Sequence, residues 1–111
     1  MKNFNLNELV KYVKNYIMQR SPGLMESLDM IAMFSGINVS SIVELFFKDP
    51  NTTFQLLVKH YGSMDTAIFI FTNFLVKPLL IRLNKLALLD RVVEAAIRDK
   101  EEFYRLIELS L

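Results

Sequence analysis

Polar side chains with the chemistry to recognise nucleic acid are grouped in one short stretch of the chain. Hydroxyl, amide and ammonium groups hydrogen-bond to base edges and phosphate oxygens, and DNA-reading helices present such groups. The four candidates for contacts in a DNA groove are Asn38, Ser40, Ser41 and Lys48. They occur among apolar residues, so their use depends on the elements that position them.

Two lysines further upstream are candidates for phosphate contacts. Lys11 and Lys14 are three residues apart and therefore share one face of a predicted helix. Their ammonium groups would attract the DNA backbone without reading its sequence. The alternative is a solvated helix face, which is the commoner use of surface lysines.

The apolar residues around the four polar candidates have the spacing of a helix-turn-helix. Residues 30–47 read MIAMFSGINVSSIVELFF, and Gly36 lies where one helix must end in a left-handed residue. Residues at fixed offsets from this glycine would hold the two helices together, namely Ala32, Ile37, Ile42 and Phe46. An ordinary helical hairpin is the alternative interpretation of the same pattern.

Residues 30–47 resemble the helix-turn-helix of the tetracycline-repressor family. The matching features are Ile31-Ala32, Gly36-Ile37, Phe46 and a new helix at Asp49-Pro50. The resemblance implies a small DNA-binding protein, a transcriptional regulator that acts as a dimer on double-stranded DNA. It also implies that helices following the DNA module form the dimer contact. That family has a much longer second domain, so an inducer pocket is not expected here.

Departures from the family pattern lead to an alternative function. Val43 replaces an aromatic phosphate contact, and Glu44 and Asp49 bring negative charge where phosphate would lie. Val39, Val43 and Phe47 stand at i, i+4 and i+8, which makes an apolar stripe on one helix. The alternative is therefore a helical protein-interaction or oligomerisation module that keeps the scaffold without binding DNA and uses this stripe as its interface.

Residues that usually carry catalysis are sparse. The single histidine, His60, has no second histidine or cysteine near it, and Glu101 and Glu102 point to different faces of a helix. The chain has no cysteine and no glycine-rich phosphate loop. We therefore predict no enzyme activity, no cofactor and no metal site.

Composition predicts one intracellular domain. The chain has 111 residues, of which 52% are apolar, and its net charge is +1 from 13 basic and 12 acidic residues. This charge is low for a dedicated nucleic-acid binder. The high apolar content indicates a surface that a partner covers, and we expect a homo-oligomer. The N-terminus does not resemble a secretory signal, so a cytoplasmic location is expected.

Caps, prolines and glycines predict an all-α fold, a compact bundle of six or seven helices. Asn5 or Asn7 caps a first helix that runs to about Arg20. Further helices begin after Ser21 and Asp49, each with a proline at its first position. Residues 1–111 form one domain, with a helix-turn-helix part over about 1–61 and helices for core and dimer packing over about 63–111.

Other capping signals refine these boundaries. Ser41 and Glu44 predict a capping box, with Ser40 as a competing cap. Gly62 ends one helix, and Asp99 caps a last helix over residues 100–109. Two ion pairs at spacing i, i+4 are expected to support exposed faces, Glu94 with Arg98 and Glu101 with Arg105.

The most apolar stretch, residues 67–81, reads AIFIFTNFLVKPLLI. Lys77 interrupts it too early for a membrane span of about 20 residues. Pro78 predicts a kink or an end of the helix near Val76 or Lys77. We therefore predict a buried central helix followed by a second one, with Asn73 in need of hydrogen-bond partners, and no membrane association.

Overall fold

Capping residues and prolines divide the chain into helices with few connecting residues. The structure is a computed structural model that describes residues 5–108. Within that range there are seven helices and no strand. They are α1 Leu6–Arg20, α2 Pro22–Phe34, α3 Ile42–Lys48, α4 Pro50–Tyr61, α5 Met64–Leu83, α6 Leu89–Arg98 and α7 Lys100–Ile107, with a 3₁₀ turn over Leu86–Leu88. The predicted all-α bundle is confirmed.

Most helix starts use the predicted capping residues. The Asn5 side chain accepts a hydrogen bond from the Asn7 N–H at 2.8 Å, and Asp49 accepts one from the Thr52 N–H at 3.2 Å. Asp99 caps α7 in the same way. Ser21 makes no side-chain cap bond, and α2 begins at the following proline. The last helix is predicted to run to residue 109, but it ends at Ile107, because Glu108 adopts a left-handed conformation.

The helix α5 is continuous through its proline, which corrects the prediction of two successive helices. It is α-helical over Met64–Ile70, π-helical over Phe71–Val76 and α-helical again over Lys77–Leu83. The Lys77 N–H bonds to the Thr72 carbonyl, five residues back. Pro78 therefore lies just after a change of hydrogen-bond register, where its missing N–H is tolerated without ending the helix.

The core is centred on α3 and α5, and phenylalanine rings join them to the outer helices. Phe46 on α3 makes edge contacts with Phe71 on α5 and Phe103 on α7, with ring centroids 5.5 and 5.6 Å apart. Phe54 on α4 contacts Phe71 at 5.4 Å. Edge-to-face geometry is the favoured arrangement for aromatic pairs, so these rings add to the burial that stabilises the bundle.

The apolar helix α5 lies among α1, α4 and α6. By length and composition it is also the one helix of the described chain apolar enough to cross a membrane, with a mean hydropathy of 1.6. One side of its middle and C-terminal parts is buried, including Leu75, Leu79 and Leu80, whereas Ile81 is exposed. These contacts are those of a core helix.

Candidate interaction surface

Nearly all of α3 is buried. It has seven residues, and the five apolar ones are enclosed by the rest of the chain: Ile42, Val43, Leu45, Phe46 and Phe47. Helices α1, α2 and α4 pack around it. The sides that a DNA-recognition helix would turn toward a groove are therefore occupied by the core.

Side chains from α2 and the preceding turn fix the N-terminal end of α3. Asp29 accepts a hydrogen bond from the Ile42 N–H at 3.1 Å, and Ser41 accepts one from the Glu44 N–H at 3.1 Å. The Ser40 hydroxyl donates to the Glu44 carboxylate at 2.8 Å. The predicted Ser41 cap is confirmed. The second bond of the capping box is not formed, because Glu44 takes the Ser40 hydroxyl instead.

Tyr104 holds the other end of α3. Its hydroxyl proton is shared between the carbonyl oxygens of Phe47, at 2.6 Å, and Lys48, at 3.0 Å. Burial raises the pKa of the Tyr104 hydroxyl, and the charge of Asp49 raises it further. With both ends bonded to neighbouring helices, α3 is a fixed part of the core.

The residues predicted to contact DNA differ in their availability. Asn38, Ser40 and Lys48 are exposed, whereas Ser41 is buried and its hydroxyl serves the helix cap. Ser41 as a groove contact is therefore wrong. Lys11 is exposed and Lys14 half-buried on α1.

The connection between α2 and α3 is longer than in a usual helix-turn-helix. It spans residues 35–41, compared with the three or four residues typical of that motif. Gly36 has a φ of +82°, the left-handed conformation predicted for it. The turn is stabilised internally, since the Ser35 hydroxyl donates to the Ala32 carbonyl at 2.6 Å and accepts from the Ile37 N–H at 3.1 Å.

The predicted interface stripe lies mainly in the core. Phe47 is 1% exposed, Val43 is fully buried, and Val39 is partly buried against the same cluster. The prediction that this stripe faces a partner is therefore wrong for Val43 and Phe47. Spacing at i, i+4 and i+8 marks an apolar face, but it does not distinguish a face covered by the same chain from one left open.

An exposed apolar surface lies instead at the C-terminal end of α2 and in the following turn. We call it the α2 patch, and its members are Met30, Met33, Phe34 and Ile37. Phe34 is 76% exposed and Met33 is 68% exposed. Ile31 and Ala32 mark the inner face of α2, and the helix-turn-helix pattern that uses them says nothing about the outer face. The available signal was the apolar residues at i, i+3, i+4 and i+7 from Met30.

A second exposed apolar set lies at the start of α5. Met64, Ile68 and Phe69 are exposed, and the Phe69 ring contacts the half-buried Phe74 with centroids 6.4 Å apart. The Asn73 side chain donates to the Phe69 carbonyl at 2.9 Å. Asn73 is thus satisfied locally, within its own helix.

The helices α6 and α7 enclose a charged cleft of about 370 Å³. Its polar lining consists of Arg91, Glu94, Arg98, Asp99, Glu102 and Arg105. Arg105 pairs with Glu102 rather than with the predicted Glu101, and the predicted Glu94–Arg98 pair is not formed. Because guanidinium and carboxylate groups are equal in number, the cleft has no net attraction for an anion.

Groups that bind metals or activate nucleophiles do not come together in the described part of the chain. No three His, Cys, Asp or Glu side chains between residues 5 and 108 are placed to hold a metal ion. His60 is exposed, and its ring makes an edge contact with Tyr61, with centroids 4.8 Å apart.

Comparisons with family models, curated proteins and solved structures find no match to this chain.

Proposed function

We propose that this chain is a helical protein-interaction module whose contact surface is the α2 patch. The observation that carries the proposal is the exposure of Phe34, at 76%. Burying one phenylalanine side chain is worth roughly 1.5–3 kcal/mol relative to leaving it in water, so an exposed ring among other apolar residues favours a binding surface.

The make-up of the α2 patch supports a protein partner. It combines an aromatic ring with two methionines, and both residue types are enriched at protein interfaces. Methionine side chains are flexible and adapt to the shape of an opposing surface. The ring of Phe34 supplies a rigid anchor between them.

DNA binding receives less support from the same geometry. The apolar side chains of α3 are used by the core, and its remaining side chains, Glu44 and Lys48, carry opposite charges. Phosphate attraction requires several basic groups on one surface. DNA binding is therefore the hypothesis against which the proposal is tested.

Site-specific photo-crosslinking tests the proposal. The photoreactive residue p-benzoylphenylalanine replaces Phe34 in one variant and Gln55, an exposed residue of α4, in a matched control. Irradiation in cells should give protein adducts at position 34 and few at position 55. Equal yields at both positions, or no protein adduct at position 34, would contradict the proposal.

A DNA titration provides the complementary measurement. We expect no binding to random-sequence duplex DNA at about 50 mM salt, where non-specific phosphate attraction is strong. Binding that weakens steeply as salt is raised would favour the DNA-binding hypothesis instead.

A further inference from the structure

We infer that α7 is a lid over α3, which opens by unfolding as one unit while the other helices stay folded. The open form uncovers the side of Phe46 that faces α7. The motion involves no residue of the α2 patch and requires no partner. The burial of α7, its connection to α6 and the bonds that hold it shut each bear on this opening.

Few buried side chains hold α7 in place. Of its eight residues only Phe103, Leu106 and Ile107 are buried, whereas five of the seven residues of α3 are buried. Apolar burial must offset the conformational entropy lost by every ordered residue, so a helix with a smaller buried share is closer to unfolding. Segments with few buried apolar contacts are those that open locally in folded proteins.

The helix α7 has one main neighbour. Its close backbone contacts are with α6, and even there the charged cleft of about 370 Å³ lies between the two helices. Three of the groups that line this cleft, Arg91, Glu94 and Arg98, make no hydrogen bond or ion pair with another described residue. The cleft side of the contact therefore contributes little to holding α7 closed.

The helix α3 keeps most of its packing when α7 leaves. Helices α1, α2 and α4 surround it. The Phe46 ring also contacts Phe47 and Phe71, with centroids 5.3 and 5.5 Å apart, and it loses only its contact with Phe103. Opening therefore exposes one side of a core ring without removing the helices that hold α3 in position.

The connection between α6 and α7 is a single residue, Asp99, in an extended conformation. Its N–H ends α6 by bonding to the Ala95 carbonyl at 2.7 Å. Its carbonyl and carboxylate accept the first N–H groups of α7, from Phe103 at 2.9 Å and Glu102 at 3.2 Å. Because the backbone hydrogen bonds of the two helices separate at Asp99, α7 can unfold without breaking a bond within α6.

Polar bonds at two points hold the lid shut. The Tyr104 hydroxyl donates to carbonyl oxygens at the end of α3. The Lys85 ammonium group, in the segment that follows α5, donates to the Leu106 carbonyl at 2.9 Å and to the Glu108 carboxylate at 2.5 Å. The last carbonyl groups of a helix have no partner within it, so Lys85 satisfies one of them and ties this end of α7 to the rest of the chain.

Hydrogen exchange in the folded protein, followed by NMR at low urea concentrations, tests the inference. The protected amides of α7 should exchange through one shared opening. Its urea dependence should be weaker than that of the Leu57 amide at the buried centre of α4, since a local opening exposes less surface than global unfolding. Equal urea dependence overturns the inference, because α7 would then open only with the whole protein. Protection that falls residue by residue toward Ile107 overturns it too, because that pattern indicates fraying.

A variant in the core outside the lid provides a second test. The Val13→Ala variant removes buried apolar groups of α1 that stay packed when α7 opens. It should speed exchange of the Leu57 amide at least about tenfold and leave exchange of the α7 amides unchanged. The same acceleration at both places would overturn the inference.

A matched pair of lysine variants tests the bonds that hold the lid shut. The Lys85→Met variant keeps an unbranched side chain but loses the donor, and it should speed exchange of the α7 amides roughly fivefold. The control is Lys59→Met, which changes an exposed lysine of α4 and should leave that exchange unchanged. Equal exchange of α7 in the two variants would overturn the assignment of Lys85 as a residue that holds the lid.

Discussion

The hydroxyl of Tyr104 on α7 lies 2.6 Å from the carbonyl oxygen of Phe47, at the C-terminal end of α3. The two residues are 57 positions apart in the chain. This contact ties the last helix to the buried one, so the folding of α7 and the position of α3 depend on each other.

Removal of the Tyr104 hydroxyl should destabilise the fold. The Tyr104→Phe variant keeps the ring but leaves the Phe47 carbonyl without its donor, at a cost of about 1 kcal/mol in the free energy of unfolding. Urea denaturation measures the difference. The control is Tyr12→Phe, because the Tyr12 hydroxyl makes no hydrogen bond within the described chain. Equal effects of the two substitutions would show that the Tyr104 bond contributes nothing specific.

Alkaline pH should weaken the fold through the same residue. Burial raises the pKa of Tyr104 above its ordinary value of 10.0, with a further contribution from Asp49, and burial also raises the pKa of Tyr61. A raised pKa means that the folded state holds the proton more tightly than the unfolded state. Stability is therefore complete below pH 10 and falls as pH rises from 10 through the folded-state pKa.

Thermal denaturation between pH 8 and 11 measures this loss. The Tyr104→Phe variant should show a smaller decrease than the parent, because the Tyr104 contribution is absent and that of Tyr61 is kept. An identical decrease in parent and variant would rule out Tyr104 as a source of the pH dependence.

The Asp29 side chain should stabilise the fold in two ways, through its acceptor oxygen and through its negative charge. The Asp29→Ala variant leaves the first N–H of α3 without its acceptor and should lose about 1–2 kcal/mol of stability. The Asp29→Asn variant keeps an acceptor oxygen and loses only the charge at the helix N-terminus, so its cost should be below about 1 kcal/mol. Chemical denaturation of the three proteins measures both steps, and an Asn variant as unstable as the Ala variant would contradict this account.

The same substitution should greatly lower the stability at Phe47 and leave it nearly unchanged at Phe34. The Phe47→Asp variant places a carboxylate in the core and should lose at least about 4 kcal/mol, enough to unfold much of the protein. The Phe34→Asp variant should stay within about 0.5 kcal/mol of the parent, because Phe34 is exposed. Circular dichroism melts at low chain concentration compare the two. A Phe47→Asp variant that stays folded would show that position 47 is not buried in the core.

Gly36 should be required for its backbone conformation rather than for space. A Cβ atom at Gly36 would meet no neighbour within 4 Å, but the φ of +82° is unfavourable for alanine. The Gly36→Ala variant should therefore lose about 1 kcal/mol. Gly23 is helical and equally uncrowded, so Gly23→Ala should gain about 0.5 kcal/mol. A loss of equal size at both positions would contradict the conformational explanation.

Local signals predicted most of the fold. Asn5, Asp49 and Asp99 cap helices as their side-chain chemistry requires, and Gly36 adopts the left-handed conformation that a turn needs. Each of these signals depends on residues a few positions apart, which the sequence shows directly.

Contacts between residues far apart in the sequence determine the features that local patterns do not predict. The apolar spacing of Val43 and Phe47 fits both an interface and a core, and only the enclosure of α3 by other helices distinguishes them. The bond from Ile42 to Asp29 joins residues 13 positions apart, so no local pattern marks it. The exposure of Phe34 depends on which other helices pack against α2, and no local pattern in the sequence shows this.

The π-helical turn of α5 changes which sequence positions lie on the buried side of the helix. In an unbroken α-helix Ile68, Leu75 and Leu79 would line one row, since i, i+7 and i+11 lie on nearly the same side. In this chain Ile68 is exposed, while Leu75 and Leu79 are fully buried. The wider turn takes up one extra residue, which rotates the following part of the helix by about 100°. The row that begins at Ile68 is thus surface before the turn and core after it, whereas the buried side continues from Ala67 through Leu75 to Leu79. Deleting a single residue in the turn would place the Ile68 row and the Leu79 row in phase again.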